Sequence, residues 1–329
     1  MSKRTTLDRR IVPVLPKPED TASRRDGVSV ATERYHRLHG TSLLLDAADA
    51  LNVSSASCYA TACVLFHRFY HQISLREVDV WSAAMGSFLL AVKIEELTIS
   101  LKQVIATFLR LYRKRKMILL EDDEVVQWIM KQPSIAYDSS AALPFAQKDS
   151  LIRENDNTSA SINPFGPLWK EWQEVVIETE NKILRALGFT VYWIPDHHPH
   201  KFILYVLRVL EVDSHKGLAQ LAWNYCNDSC RLDLCVRFEA HLMACAAICL
   251  AASEQGVVLP DSSLPTTIKW WEVLCGPGHE AELDVIQKEL LALKDKESDV
   301  VMASVAFVKS LVKNESFNDP QSFSWESIK

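Results

Sequence analysis

Residues 78–96 read Val-Asp-Val-Trp-Ser-Ala-Ala-Met-Gly-Ser-Phe-Leu-Leu-Ala-Val-Lys-Ile-Glu-Glu. From position 80 to 92 every residue is apolar or small, and charge returns only at Lys93, Glu95 and Glu96. A helix that is hydrophobic all round is a buried one. Ala83, Ala84, Gly86, Ser87 and Ala91 leave room for neighbouring helices to approach closely. The stretch predicts the central helix of a bundle, with a charged end emerging at the surface.

The totals bound what surrounds it. A length of 329 residues is a prior for about two domains. Hydrophobic residues make up 48% of the chain and glycines number only 9, which favours an α-rich fold with an ample core. The net charge of −6 argues against broad nucleic-acid binding, which needs a basic footprint. The longest apolar run, at 242–252, is too short to span a bilayer, so no membrane association is expected. The first ten residues hold no apolar core of a signal peptide. The expectation is a soluble intracellular protein whose 8 cysteines are thiols rather than disulfides.

Residues 1–32 carry three prolines and the basic pairs Arg9-Arg10 and Arg24-Arg25 and read as a flexible N-terminal arm. Helical patterning starts near Glu33, and Leu43, Leu44, Ala47, Ala48 and Leu51 share one face before Asn52 closes the segment. A second helix is predicted over 55–70, capped by Ser54 or Ser55. The opening helix follows, and a fourth over 101–116 ends on a basic run that suits a helix C-terminus. An insertion occupies about 117–167, much of it Ser-, Asn-, Asp- and Pro-rich with no helical period. Residues 169–187 form an amphipathic helix with a stripe of Trp169, Trp172, Val176, Ile183 and Leu187, and Gly188 suits the left-handed position past its end. At 100° per residue Glu180 falls inside that stripe. A carboxylate in an apolar seam is costly unless something pairs with it.

Residues 194–200, with two prolines, read as a linker. Beyond it the chain repeats itself. A shift of 160 places Leu44 on Leu204, Ala62 on Ala222, Ala84 on Ala244, Leu90 on Leu250 and Ala91 on Ala251. The apolar helix at 240–252 is then a second copy of the opening one. Helices over 268–274, 280–293 and 300–312 complete the pattern, followed by a polar tail.

Particular residues now carry a family resemblance. Val64-Leu-Phe-His-Arg-Phe-Tyr70 followed by Leu90-Ala-Val-Lys-Ile-Glu-Glu96 resembles the first box of the cyclin family. Glu180-Asn-Lys-Ile-Leu-Arg-Ala-Leu-Gly-Phe189 resembles that box's closing helix, and His198-Pro-His-Lys201 the link that follows. Ala222-Trp-Asn-Tyr-Cys-Asn-Asp-Ser-Cys-Arg231 with Val236-Arg-Phe238 is similar to the second box of cyclin L-like proteins, of the transcriptional type. The resemblance, which covers roughly residues 33–296, implies an all-α fold of two tandem five-helix cyclin boxes, at 33–193 and 194–296; a C-terminal helix and tail at 297–329 lie beyond it. It implies a non-catalytic, cofactor-free nuclear subunit. Such a subunit binds and activates a cyclin-dependent protein kinase as a heterodimer, in RNA polymerase II transcription or pre-mRNA processing. It further implies that Lys93 and Glu180 hydrogen-bond the kinase backbone, with Ile94, Leu184 and Leu187 beside them. The sequence lacks the Met-Arg-Ala-Ile-Leu patch of cell-cycle cyclins, and no Arg-Ser repeats follow the second box.

Each of these residues also has a plainer reading. Lys93 at a helix C-terminus complements the last carbonyls without any partner, and Glu180 could be paired internally. Cys226 with Cys230, and Cys245 with Cys249, stand four apart on helices near His197, His198 and His200. They read as small buried hydrophobes rather than zinc ligands. Arg110 and Arg113-Lys-Arg-Lys116 read as a solvated basic face. No phosphate loop, nucleophile elbow or His-Glu-x-x-His is present. A promoter-binding protein like general transcription factor B is the alternative from another class, but it calls for basic helices and a zinc ribbon, and the first 50 residues contain no cysteine. A helical scaffold predicts equivalent copies, yet Ser253 stands in the second where Lys93 stands in the first.

Overall fold

The computed structural model describes residues 19–53, 56–120, 167–261 and 268–295. Among them every regular element is helical. A short helix α1 (Ala22–Arg25) precedes α2 (Val30–Ala50), α3 (Ala56–Gln72), α4 (Val80–Ile94), α5 (Leu101–Leu120) and α6 (Pro167–Ala186). A 3-10 turn (Ile194–His197) leads into α7 (His200–Val209), α8 (Leu218–Arg231), the short α9 (Leu234–Arg237), α10 (Ala240–Gln255), α11 (Trp270–Cys275) and α12 (Glu280–Asp295). None of the described helices is long and apolar enough to cross a membrane.

The opening stretch is the centre of the first bundle. Asp79 caps it by accepting from the Ser82 backbone N–H at 2.9 Å. Its buried residues run from Val80 to Val92 on all faces, and α2, α3, α5 and α6 pack around it. The helix ends with Glu96 in the left-handed region (φ 54°) while Leu97 N–H donates to Val92 O at 3.0 Å. In the second bundle α10 takes the same place among α7, α8, α11 and α12. The fold is therefore two tandem five-helix bundles, α2–α6 and then α7, α8 and α10–α12.

The internal repeat survives in burial with one exception. Ala62 and Ala222, Ala84 and Ala244, Leu90 and Leu250, and Ala91 and Ala251 are all buried. Leu44 is fully buried, whereas Leu204 is 63% exposed. An ungapped shift keeps α4 and α10 in register but not the faces of the helices that open each bundle.

Three boundaries differ from expectation. Residues 19–32 are not an extended arm: Thr21, Ala22, Ser23 and Val28 are buried, and α2 begins three residues before Glu33. The reason is Glu33 itself, a buried carboxylate that accepts from Thr21 Oγ1 and Arg24 Nε, both at 2.9 Å, and draws the segment onto α2. Helix α5 continues past Lys116 to Leu120, so the basic run lies inside it. The expected linker packs as a turn with Ile194, His198 and His200 buried. The rest of the insertion, the caps Ser54 and Ser55, the Trp169 side chain, and the helix and tail expected after 296 lie outside what is described.

Two glycines permit close helix approaches. A Cβ at Gly40 on α2 would sit 2.0 Å from Phe66 Cζ on α3. One at Gly86 on α4 would meet Thr179 Cγ2 at 3.0 Å, Ile183 Cδ1 at 3.2 Å and the backbone N of Glu180 at 3.3 Å, all on α6. The second approach positions the site described next.

Candidate functional site

Glu180 lies in the apolar seam where its helical angle places it, and its side chain is 10% exposed. Its partner is Lys93, whose Nζ donates to Glu180 Oε1 at 2.5 Å across 87 residues of sequence. Lys93 leaves the last turn of α4 with 56% of its side chain exposed. The pair thus has one wet end and one dry end. Such a bond contributes about 0–1 kcal/mol where it is solvated, but leaving the carboxylate buried and unpaired costs more. The arrangement can exchange partners: an incoming hydrogen-bond donor can replace Lys93 on Glu180 without exposing a bare charge.

The closeness of α4 and α6 depends on Gly86. Gly86→Val is expected to force α6 outward, lower stability by about 1–3 kcal/mol and separate Lys93 from Glu180. Urea denaturation checks the first effect, and a loss below a few tenths of a kcal/mol would rule out the tight crossing.

Around the pair runs an apolar ridge. Ile177, Glu180 and Leu184 on α6 and Leu187 directly after it follow one another at spacings of three, four and three along one face. Ile177 is 40% exposed, and Leu184, Leu187 and, on α4, Ile94 are half-buried against the first core. Gly188 then takes the left-handed conformation (φ 60°) as expected, and Phe189 follows it there (φ 58°) with its residue 65% exposed. A bulky residue held at positive φ is uncommon and costs energy. Its exposed side chain adds apolar surface just past the end of α6, and the sequence reading passed it over. The available signal was an aromatic residue directly after a helix-ending glycine.

The five expected site residues therefore lie on α4 and α6 or directly after α6, two helices that pack against each other, and the structure joins two of them, Lys93 and Glu180. Comparison with known proteins decides the family. A chain called Cyclin-L1-1 from Oryza sativa subsp. japonica is 32% identical over 254 residues, covering 77% of this chain and 48% of that one. Cyclin-L1 from Homo sapiens is 29% identical over 321 residues, 95% of this chain and 51% of that one. The protein is cyclin L-like. No family model matches it, and it spans about half the length of the curated relatives it matches. Among solved structures, the crystal structure of the yeast RNA Pol II CTD kinase CTDK-1 complex contains a similar chain with a TM-score of 0.57 at 15% identity, covering 88% of this chain and 74% of that one. At that identity the likeness is one of fold.

A polar latch in the cyclin L-like chain holds the turn that presents Lys93. Glu95 caps α4, and Thr61 Oγ1 on α3 donates to Glu95 Oε1 at 2.5 Å. The same hydroxyl accepts from buried His198 Nε2 at 2.7 Å. His198 and then Thr61 hold the Glu95 carboxyl down at about 2. The segment between the bundles is thereby tied to the end of the opening helix, two residues from Lys93. The sequence shows Glu95 and His198 but not that they meet.

The other singled-out residues do not join this site. His197 Nδ1 donates to Trp193 O at 2.9 Å, and His200 Nε2 donates to Asn227 Oδ1 at 2.9 Å, so the three histidines have three separate environments. Cys230 donates to Cys226 O at 3.4 Å, within α8. Among the described residues no group of three or more His, Cys, Asp or Glu is placed to hold a metal ion. Arg110 is exposed on α5, and the side chains of Arg113 to Lys116 lie outside the described set.

Proposed function

We propose that this chain is the non-catalytic regulatory subunit of a cyclin-dependent protein kinase, acting in the nucleus in RNA polymerase II transcription or pre-mRNA processing. The observation that carries the reading is the buried Glu180 carboxylate in an apolar ridge, held by a half-exposed lysine. Likeness to cyclin L over most of the chain supports the kinase-regulatory role. The reading takes residues 33–193 and 194–296 as the two boxes.

In a protein kinase the αC glutamate must pair with the β3 lysine before the nucleotide phosphates are held for transfer. A rigid convex surface that presses αC inward completes that pair. The ridge of Leu184, Leu187 and Ile94 supplies apolar contact, and the exposed Phe189 adds apolar surface past the end of α6. Lys93 and Glu180 would turn from each other to a kinase backbone carbonyl and N–H. The latch through Thr61, Glu95 and His198 fixes the presenting turn beforehand, which lowers the ordering cost of association.

Affinity purification from cells tests this. The wild type is expected to recover a protein kinase, and the charge-reversed Lys93→Glu, Glu180→Arg variant to lose it. With the purified partner, Glu180→Ala is expected to weaken binding by about 1–3 kcal/mol, with the fold checked by circular dichroism. Recovery of no kinase by the wild type would defeat the reading.

A further inference from the structure

The second bundle carries a thiol arrangement that the docking surface does not use. Cys245 Sγ and Cys275 Sγ lie 3.5 Å apart, one on α10 and the other the last residue of α11. Cys245 is buried and Cys275 half-exposed. A disulfide needs the sulfurs about 2.05 Å apart, so the gap closes with a shift of roughly 1.5 Å. The end of α11 has room for it. Gly276 and Gly278 follow at φ 85° and 93°, and nothing lies within 4 Å of a Cβ built on either. Trp270 and Trp271, both buried, hold the other end of α11 in place.

We infer that Cys275 is a peroxide-sensitive modification site and that Cys245 is the thiol that resolves it into an intramolecular disulfide. Reactivity separates this pair from the remaining thiols. The thiolate is the nucleophile, and an inert cysteine is a buried one. Burial pushes Cys58 and Cys235 up to about 12, and Cys249 as well. It also raises Cys63, Cys226 and Cys230. Cys275 alone among the eight is lowered, because its hydrogen bond with the Cys245 thiol favours its thiolate. Cys245, the buried member of that hydrogen bond, is correspondingly raised by it and by burial.

The chemistry balances with hydrogen peroxide as the oxidant. The Cys275 thiolate attacks one peroxide oxygen, the O–O bond breaks, and hydroxide leaves and is protonated to water. The product is a sulfenic acid at Cys275. Cys245 then gives up its proton and attacks that sulfur, and the S–O bond breaks to release the second water. Two thiols lose two electrons and two protons in all, and the peroxide is reduced to two waters. The disulfide fastens α11 to α10, and thiol–disulfide exchange reverses it.

The test uses the full reduced chain, treated with hydrogen peroxide, quenched by alkylation and mapped by peptide mass spectrometry. A Cys245–Cys275 cross-link that dithiothreitol removes is expected. Before oxidation, Cys275 should alkylate at least about tenfold faster than any other cysteine in the folded chain. In Cys245→Ala the Cys275 sulfenic acid should persist and take up dimedone, and Cys275→Ser, at a half-exposed position, should lose both the cross-link and the fast alkylation. Both thiols still free after peroxide, or a cross-link from Cys275 to Cys249, would overturn the assignment. The wild-type map needs no variant to fold.

Discussion

Replacing Glu33 by alanine is expected to destabilise the protein by about 3–5 kcal/mol. Glu33 is 1% exposed and receives four hydrogen bonds. Thr21 and Arg24 bond one of its oxygens, while Arg37 bonds the other through Nε at 3.0 Å and Nη2 at 2.8 Å. Arg37 is buried too, and its Nη1 donates to His67 O at 2.8 Å. His67 Nε2 in turn donates to Cys230 O at 3.1 Å, so the chain of bonds runs from residue 21 through α2 and α3 to α8. Removing the carboxylate leaves the Arg37 guanidinium in the interior without its counter-charge, which is the costly way to break a buried pair. The loss should appear as a lower urea midpoint with unchanged m-value. Amide exchange at 21–25 should also rise, because Thr21 and Arg24 lose their acceptor. Glu33→Leu with Arg37→Met should recover most of the loss, since an apolar pair of similar volume removes both charges together. A single-variant loss below about 1 kcal/mol would place the network outside the stabilising core.

Acid should weaken the fold well above the carboxylate range. Burial lowers His36 and His200 from 6.5 to about 4, and it lowers His67 as well, with Arg37 adding to the effect. In the unfolded chain these imidazoles take up protons near pH 6.5, and in the folded chain they stay neutral. Stability rises with pH wherever the unfolded state binds more protons. The contribution is therefore complete above 6.5 and is lost as pH falls from 6.5 towards 4. Each histidine costs about 1.4 kcal/mol per pH unit inside that window. Between pH 7.5 and 5, His36 and His200 together should remove ~4 kcal/mol. Urea unfolding at pH 7.5, 6 and 5 reads this directly, and His200→Gln should make the dependence shallower by about one proton. A flat stability between pH 7.5 and 5 would contradict the burial of these rings. Glu95 behaves separately: its carboxyl is held at about 2, so its share persists through this window and is lost only as pH falls from 4.5 towards 2.

The helical architecture is legible in the order of residues alone. The apolar run at 80–92 could only be a core helix, and α4 is buried on all sides. Its copy at 240–252 followed from the same property, and α10 lies likewise at the centre of its bundle. Gly188 marked a left-handed helix end, and Glu180 declared itself by falling at the wrong angle. These readings succeed because side-chain direction along a helix is a local, periodic property. Hydrophobic burial is non-directional, so it needs only the right face and not a particular partner.

Tertiary structure decided everything that depends on a named partner. Lys93 reaches Glu180 across 87 residues, His198 meets Thr61 across 137, and His67 meets Cys230 across 163. Cys245 finds Cys275 instead of Cys249 one turn away. Hydrogen bonds and ion pairs hold only within a few tenths of an ångström of their preferred distances. Which groups come that close is set by the helix crossings, such as the one Gly86 permits, and no periodicity along the chain encodes it.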